Sequence, residues 1–131
     1  MAGYLAYHAL AFSGSADPCV PFPDALGYCN RVAERLGRER AAECFRWFLL
    51  PGKDHGAQGR GSNCIWNNAG ERAGLLTIIR RWREDGIAPD TLTAARVTDG
   101  ETVFAREVKA YAADLVPGKS APPVCGEAYL K

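Results

Sequence analysis

The sequence predicts an α/β fold: two parallel strands with flanking helices, followed by a C-terminal hairpin or tail. Three observations carry this. Two compact apolar runs, residues 4–12 and 45–50, are bounded by turn signals and suit strands buried on both faces. A helical pattern over residues 25–36 lies between them, the layout of a right-handed parallel crossover. A second amphipathic pattern follows the second run and completes a strand–helix–strand–helix order.

Each element has its own local reason. The first run ends at Ser13-Gly14-Ser15, and a loop carrying Asp17-Pro18 and Pro21-Phe22-Pro23 follows. Asp24 is placed to cap a helix whose stripe is Leu26, Cys29, Ala33 and Leu36, and Gly37 stops it. Residues 38–44 add a further helical turn. The second run, Phe-Arg-Trp-Phe-Leu-Leu, ends at Pro51-Gly52, and a glycine-rich loop over residues 52–63 contains His55. Asn68 with Glu71 resembles a capping box. The helix it opens carries Leu75, Ile78, Ile79 and Trp82 on one face and ends at Gly86 and Pro89. Residues 92–98 and 101–108 flank Asp99-Gly100, a tight-hairpin signal, with a helix over 104–114 as the competitor. The tail, residues 117–131, is rich in Pro and Gly and reads as a surface wrap.

Composition bounds the function. The chain has 131 residues, which suits a single domain over 1–131. At 47% apolar and 24% charged residues it reads as globular, not disordered. Sixteen Lys+Arg against fifteen Asp+Glu leave +1, which argues against a nucleic-acid partner. No apolar run approaches the roughly 18–20 residues of a membrane span, so no membrane partner is expected. Residues 1–8 lack a basic start and include polar His8, which argues against a signal peptide. Cys19, Cys29, Cys44, Cys64 and Cys125 include no Cys-x-x-Cys, so no metal site and no cofactor are expected. Their pairing is open: they are either buried free thiols, or the remnant of a disulfide set in an exported protein.

The chemistry-bearing pair is Asp17 and His55. Both lie just past the carboxyl ends of the expected strands, where open α/β sheets bind ligands. A carboxylate and an imidazole on one rim suit the acid and base of a Ser-His-Asp triad. Asp before His agrees with the α/β-hydrolase order.

Four segments then resemble one family in order and spacing. They are Gly14-Ser15-Ala16-Asp17-Pro18, Tyr28-Cys29-Asn30-Arg31-Val32, Phe48-Leu49-Leu50-Pro51-Gly52-Lys53-Asp54-His55 and Trp82-Arg83-Glu84-Asp85-Gly86-Ile87-Ala88-Pro89. Pro122-Pro123-Val124-Cys125, with Tyr129 beyond, matches the family's tail. The chain is similar to the C-terminal part of the tannase and feruloyl esterase family of α/β-hydrolases. The resemblance implies a partial α/β-hydrolase sheet, its last two parallel strands with flanking helices. It implies Asp17 as triad acid and His55 as triad base, acting on galloyl- or feruloyl-type aromatic esters. It also implies a secreted or periplasmic protein with disulfides, although no leader is visible.

The chain departs from that pattern in two places. Its serines are Ser13, Ser15, Ser62 and Ser120, and none sits in the Gly-x-Ser-x-Gly elbow that carries the family's nucleophile. The family's Cys after the base is Gly56 here, with Cys64 as a substitute half of the family's bridge. The expectation is therefore an acid-and-base segment without nucleophile or lid, inactive alone. The alternative is a non-catalytic, self-standing α/β binding or assembly domain. Exposed sheet edges would favour self-association in either case. Four lesser readings complete the inventory. Arg80, Arg81 and Arg83 read as a solvated helix face. Trp47 and Trp66 read as core before pocket. His8 reads as a hydrogen-bonded core residue, and Cys19 as a thiol with nothing nearby to activate it.

Overall fold

A computed structural model describes residues 7–56, 58–66 and 74–111. The chain runs β1 (Ala9–Gly14), α1 (Phe22–Leu36), α2 (Arg38–Cys44), β2 (Phe45–Leu50), β3 (Cys64–Trp66), α3 (Leu75–Asp85), β4 (Thr91–Thr98) and β5 (Glu101–Lys109). Among these residues no helix is long and apolar enough to cross a membrane.

β1 and β2 pair in parallel, with Ala9 opposite Phe45 and Gly14 opposite Leu50, so α1 and α2 form the crossover between them. β3, β4 and β5 form a separate antiparallel sheet in that order. Its hairpin turns at Asp99 (φ 52°) and Gly100 (φ 82°). Positive φ at both positions is the turn whose twist matches paired strands, and it explains the Asp-Gly.

β2 is the centre of the packing. Its side chains alternate between two apolar clusters. Trp47 and Leu49 meet Cys29, Ala25 and Leu26 of α1, with Ala11 and Phe22 at the margin. Phe48 and Leu50 meet Ile78 of α3, Leu92 and Ala94 of β4 and Val108 of β5. Phe48, Leu50 and Leu92 are fully buried. Each such side chain contributes roughly 1.5–3 kcal/mol of transfer free energy.

Several expectations need correction. β1 starts at Ala9 rather than residue 4 and runs on through Ser13 to Gly14; residues 4–6 lie outside the described set. It is not buried on both faces: Phe12 is 39% exposed, and among the described residues β1 pairs with β2 alone. α1 begins at Phe22, behind Pro21, with no side-chain cap; Asp24 stands inside its first turn, where it favours the helix dipole instead. The Asn68–Glu71 capping box lies outside the described residues, and α3 starts at Leu75 behind Gly74. Strand wins over helix as far as Lys109, because Leu92–Val108 pairing seats β5 on the core. β3 was not expected from the sequence. Three residues are too few to show a period, and the strand exists by pairing with β4. The tail and Cys125 lie outside the described residues.

Cys19, Cys29, Cys44 and Cys64 are free thiols, so the described residues contain no disulfide, and Cys64 bridges nothing there. Burial between α1 and β2 pushes the Cys29 thiol up to about 11. Its neutral form is thus the stable form in the fold. That stability is present below the ordinary thiol range and is lost as pH rises toward about 11. Under native conditions iodoacetamide should label exposed Cys19 quickly and leave Cys29 unmodified, as mapped by peptide mass spectrometry. Equal labelling of both would refute this packing.

Candidate functional site

Two loops meet at the carboxyl ends of β1 and β2. The parallel register delivers both strand ends to one rim, and backbone bonds then lace the loops together. Ser15 N–H donates to Leu50 O at 3.0 Å and Ala16 N–H to Lys53 O at 3.1 Å. Gly52 N–H donates to Ser15 Oγ at 2.7 Å. The approach is close enough to require glycine. A Cβ on Gly14 would stand 2.1 Å from Lys53 O, and one on Gly61 would stand 1.9 Å from Gly52 O.

This lacing brings Asp17 to His55. Asp17 Oδ2 lies 2.9 Å from His55 Nδ1. Asp17 Oδ1 accepts the backbone N–H groups of Cys19 and Val20, each at 2.9 Å. Both carboxylate oxygens are therefore engaged, and the carboxylate has a fixed orientation. Its side chain is 11% exposed, whereas the His55 side chain is 59% exposed. The Val20 N–H bond, helped by His55 and the Cys19 N–H, holds the Asp17 carboxyl below its ordinary value, against some desolvation. The pair can hold the ring with Nδ1 toward the carboxylate and leave Nε2 for a reacting partner.

The His55 loop is fixed from its far side as well. Arg96 of β4 donates through its guanidinium to Gly59 O and, at 2.9 Å, to Gly61 O. Asn63 exchanges two 2.8 Å bonds with the backbone of Val97. Asp54 Oδ2 accepts Gly59 N–H at 2.7 Å, and Lys53 Nζ donates to Asp54 O at 3.1 Å. Lys53 and Asp54 thus shape the loop. Sequence reasoning overlooked Arg96 and Asn63. An arginine facing a glycine-rich loop across 35 positions leaves no local signal.

The other sequence candidates separate. Trp47 is 1% exposed, stacks edge-on with Tyr111 and donates to Ser13 Oγ at 3.1 Å, which makes it core. Trp66 lies in β3, half-buried. Arg80 pairs weakly with Glu84 at 3.9 Å on the exposed face of α3. Arg83 is exposed there, and Arg81 is half-buried. His8 differs from expectation: it packs edge-on against Trp82 at 4.6 Å, but its buried Nδ1 has no hydrogen-bond partner. Cys19 also differs, because the fold returns its thiol to within 4.8 Å of the Asp17 and His55 donor atoms. Ser13 and Ser15 accept bonds from Trp47 and Gly52, and Ser62 is 2% exposed with its hydroxyl buried.

A parallel crossover presenting a carboxylate–imidazole pair at its strand ends defines an α/β protein of hydrolase-like layout. The chain belongs to the tannase and feruloyl esterase family, whose model matches residues 8–116. It is 30% identical over 100 residues to feruloyl esterase C of Talaromyces stipitatus, covering 70% of this chain and 19% of that protein. It is 31% identical over 99 residues to a probable feruloyl esterase B-1 of Aspergillus flavus, with the same shares. A solved esterase from Aspergillus oryzae superposes with a TM-score of 0.69 at 27% identity, over 79% of this chain and 23% of that one. The structure of feruloyl esterase B from the same organism shares the fold, with a TM-score of 0.69 at 21% identity. The chain spans about a fifth of the length of these relatives.

Two outcomes are expected from this geometry. Gly14→Ala and Gly61→Ala should each cost about 1–3 kcal/mol, since backbone must give way. Gly27→Ala, inside α1, should stabilise by about 0.5–1 kcal/mol. Thermal unfolding of the three variants checks the contrast. The stability linked to Asp17 is present above the ordinary carboxylate range and lost as pH falls through its lowered value. Asp17→Asn should therefore flatten the pH dependence of unfolding below about pH 4; an unchanged slope would contradict the Asp17 bonding.

Proposed function

We propose that this chain is the acid-and-base segment of a serine-type carboxylic ester hydrolase acting on aromatic, galloyl- or feruloyl-type esters. The observation that carries the reading is the 2.9 Å contact between Asp17 Oδ2 and His55 Nδ1 at the carboxyl ends of parallel strands. β1 and β2 are then the last two parallel strands of an α/β-hydrolase sheet. The unpaired outer edge of β1 among the described residues supports this, because strand edges favour a further pairing partner.

In this reading Asp17 holds the His55 tautomer and stabilises the imidazolium. His55 takes the proton from a serine that lies outside these 131 residues. The serine attacks the ester carbonyl, the alcohol leaves with the proton from His55, and water releases the aromatic acid from the acyl-enzyme. None of Ser13, Ser15, Ser62 and Ser120 sits in the elbow pattern of such a nucleophile, and Ser62 is buried as well.

The 131-residue chain should therefore give no turnover of methyl ferulate or methyl gallate above buffer. Turnover abolished by His55→Ala would mean that the chain supplies its own nucleophile, and the segment reading would fail. Grafted in place of the matching segment of the A. oryzae esterase, the chain should support ester hydrolysis that His55→Ala reduces about a thousandfold or more. An active chimera indifferent to His55→Ala would remove His55 from the chemistry and favour the self-standing binding domain.

A further inference from the structure

We propose that Asp17, Cys19 and His55 form a binding site for a soft-to-borderline divalent cation of the zinc class. One ligand atom from each of these residues lies within 4.8 Å of the other two. The three donors differ in kind: a carboxylate oxygen, a thiol sulfur and an imidazole nitrogen. That mixture suits Zn²⁺ or Cd²⁺ and disfavours the all-oxygen preference of Ca²⁺ and Mg²⁺.

The fold supplies the convergence without help from a metal. Asp17 Oδ1 accepts the Cys19 and Val20 N–H groups at 2.9 Å, which turns the acid loop back on itself. The turn brings the Cys19 thiol beside the carboxylate, and the laced loops place His55 opposite it. A tetrahedral zinc with bonds of about 2.0–2.3 Å sets its ligand atoms about 3.3–3.6 Å apart. The Asp17–His55 contact of 2.9 Å has to open by a few tenths of an ångström, and the thiol has to close from at most 4.8 Å. Both are side-chain rotations, and Cys19 and His55 are exposed and free to make them. The exposed side leaves a fourth position for water. On binding, the Cys19 sulfur becomes a thiolate and its proton passes to the buffer; nothing is oxidised.

Metal uptake rests on these donors alone. Its consequence rests on the function proposed above: a cation held by Asp17 and His55 occupies the acid and the base together, so zinc is a reversible inhibitor of the site.

The test is a titration of the reduced chain with ZnCl₂ by calorimetry, repeated with CdCl₂ while following thiolate-to-cadmium charge-transfer absorption. One equivalent should bind in the micromolar range or tighter. Cys19→Ser and His55→Ala should each weaken binding at least tenfold, and the Cys19→Ser chain should lose the cadmium band. Cys19→Ser keeps the backbone N–H that bonds Asp17, so its circular dichroism should match the parent. Cys44→Ser, Cys64→Ser and Cys125→Ser should leave binding unchanged. No uptake, uptake indifferent to Cys19→Ser, or loss confined to the other thiols overturns the site. If zinc fails to bind while the chimera still depends on His55, the metal site falls and the catalytic reading stands. Zinc binding beside a chimera indifferent to His55→Ala has the reverse meaning.

Discussion

The structure depends on the burial of β2 on both faces. A strand of six residues cannot alternate between core and water here, because α1 covers one side and α3 with the antiparallel sheet covers the other. Trp47 and Leu49 point one way, Phe48 and Leu50 the other. Arg46 shows the cost of the arrangement. Its guanidinium is held at the strand's start by Asp90 at 3.0 Å and by the face of Trp82 at 5.2 Å. A charge that is 8% exposed has to be paired in this way to be tolerated.

With β2 held on both sides, the rim follows. Parallel pairing sets the end of β1 level with the end of β2, and Gly14 lets the two backbones touch. Asp17 then needs only a short turn, and His55 only a short loop, to meet. Backbone donors from Cys19 and Val20 hold one oxygen of the Asp17 carboxylate, and the other oxygen is directed at the His55 ring.

Elements with strong local signals were legible in the sequence. β2 was read at its observed bounds, α3 by its Ile78–Trp82 stripe and the hairpin by Asp99-Gly100. The Asp17–His55 pair was legible because both residues follow strand ends in a crossover. Properties set by tertiary contact were not legible. β3 exists only through β4, and Arg96 reaches carbonyls far away in sequence. Cys19 has no activating neighbour along the sequence, and only the folded loops bring its thiol near His55. β1 starts later than the apolar run suggests, because Tyr7 and His8 continue that run yet precede the first paired residue, Ala9, and composition alone does not mark where pairing begins.

The loop carrying His55 has consequences beyond its own contacts. It leaves β2 of the parallel sheet and is tied to β4 of the antiparallel one by Arg96 and by the bonds of its own Asn63 to Val97. The imidazole therefore rides on a span moored to two separate sheets. The two sheets that moor this span are packed on one another through the shared Phe48–Leu92 core. The place of the imidazole beside Asp17 is thus set by contacts from both sheets, not by the parallel pair alone.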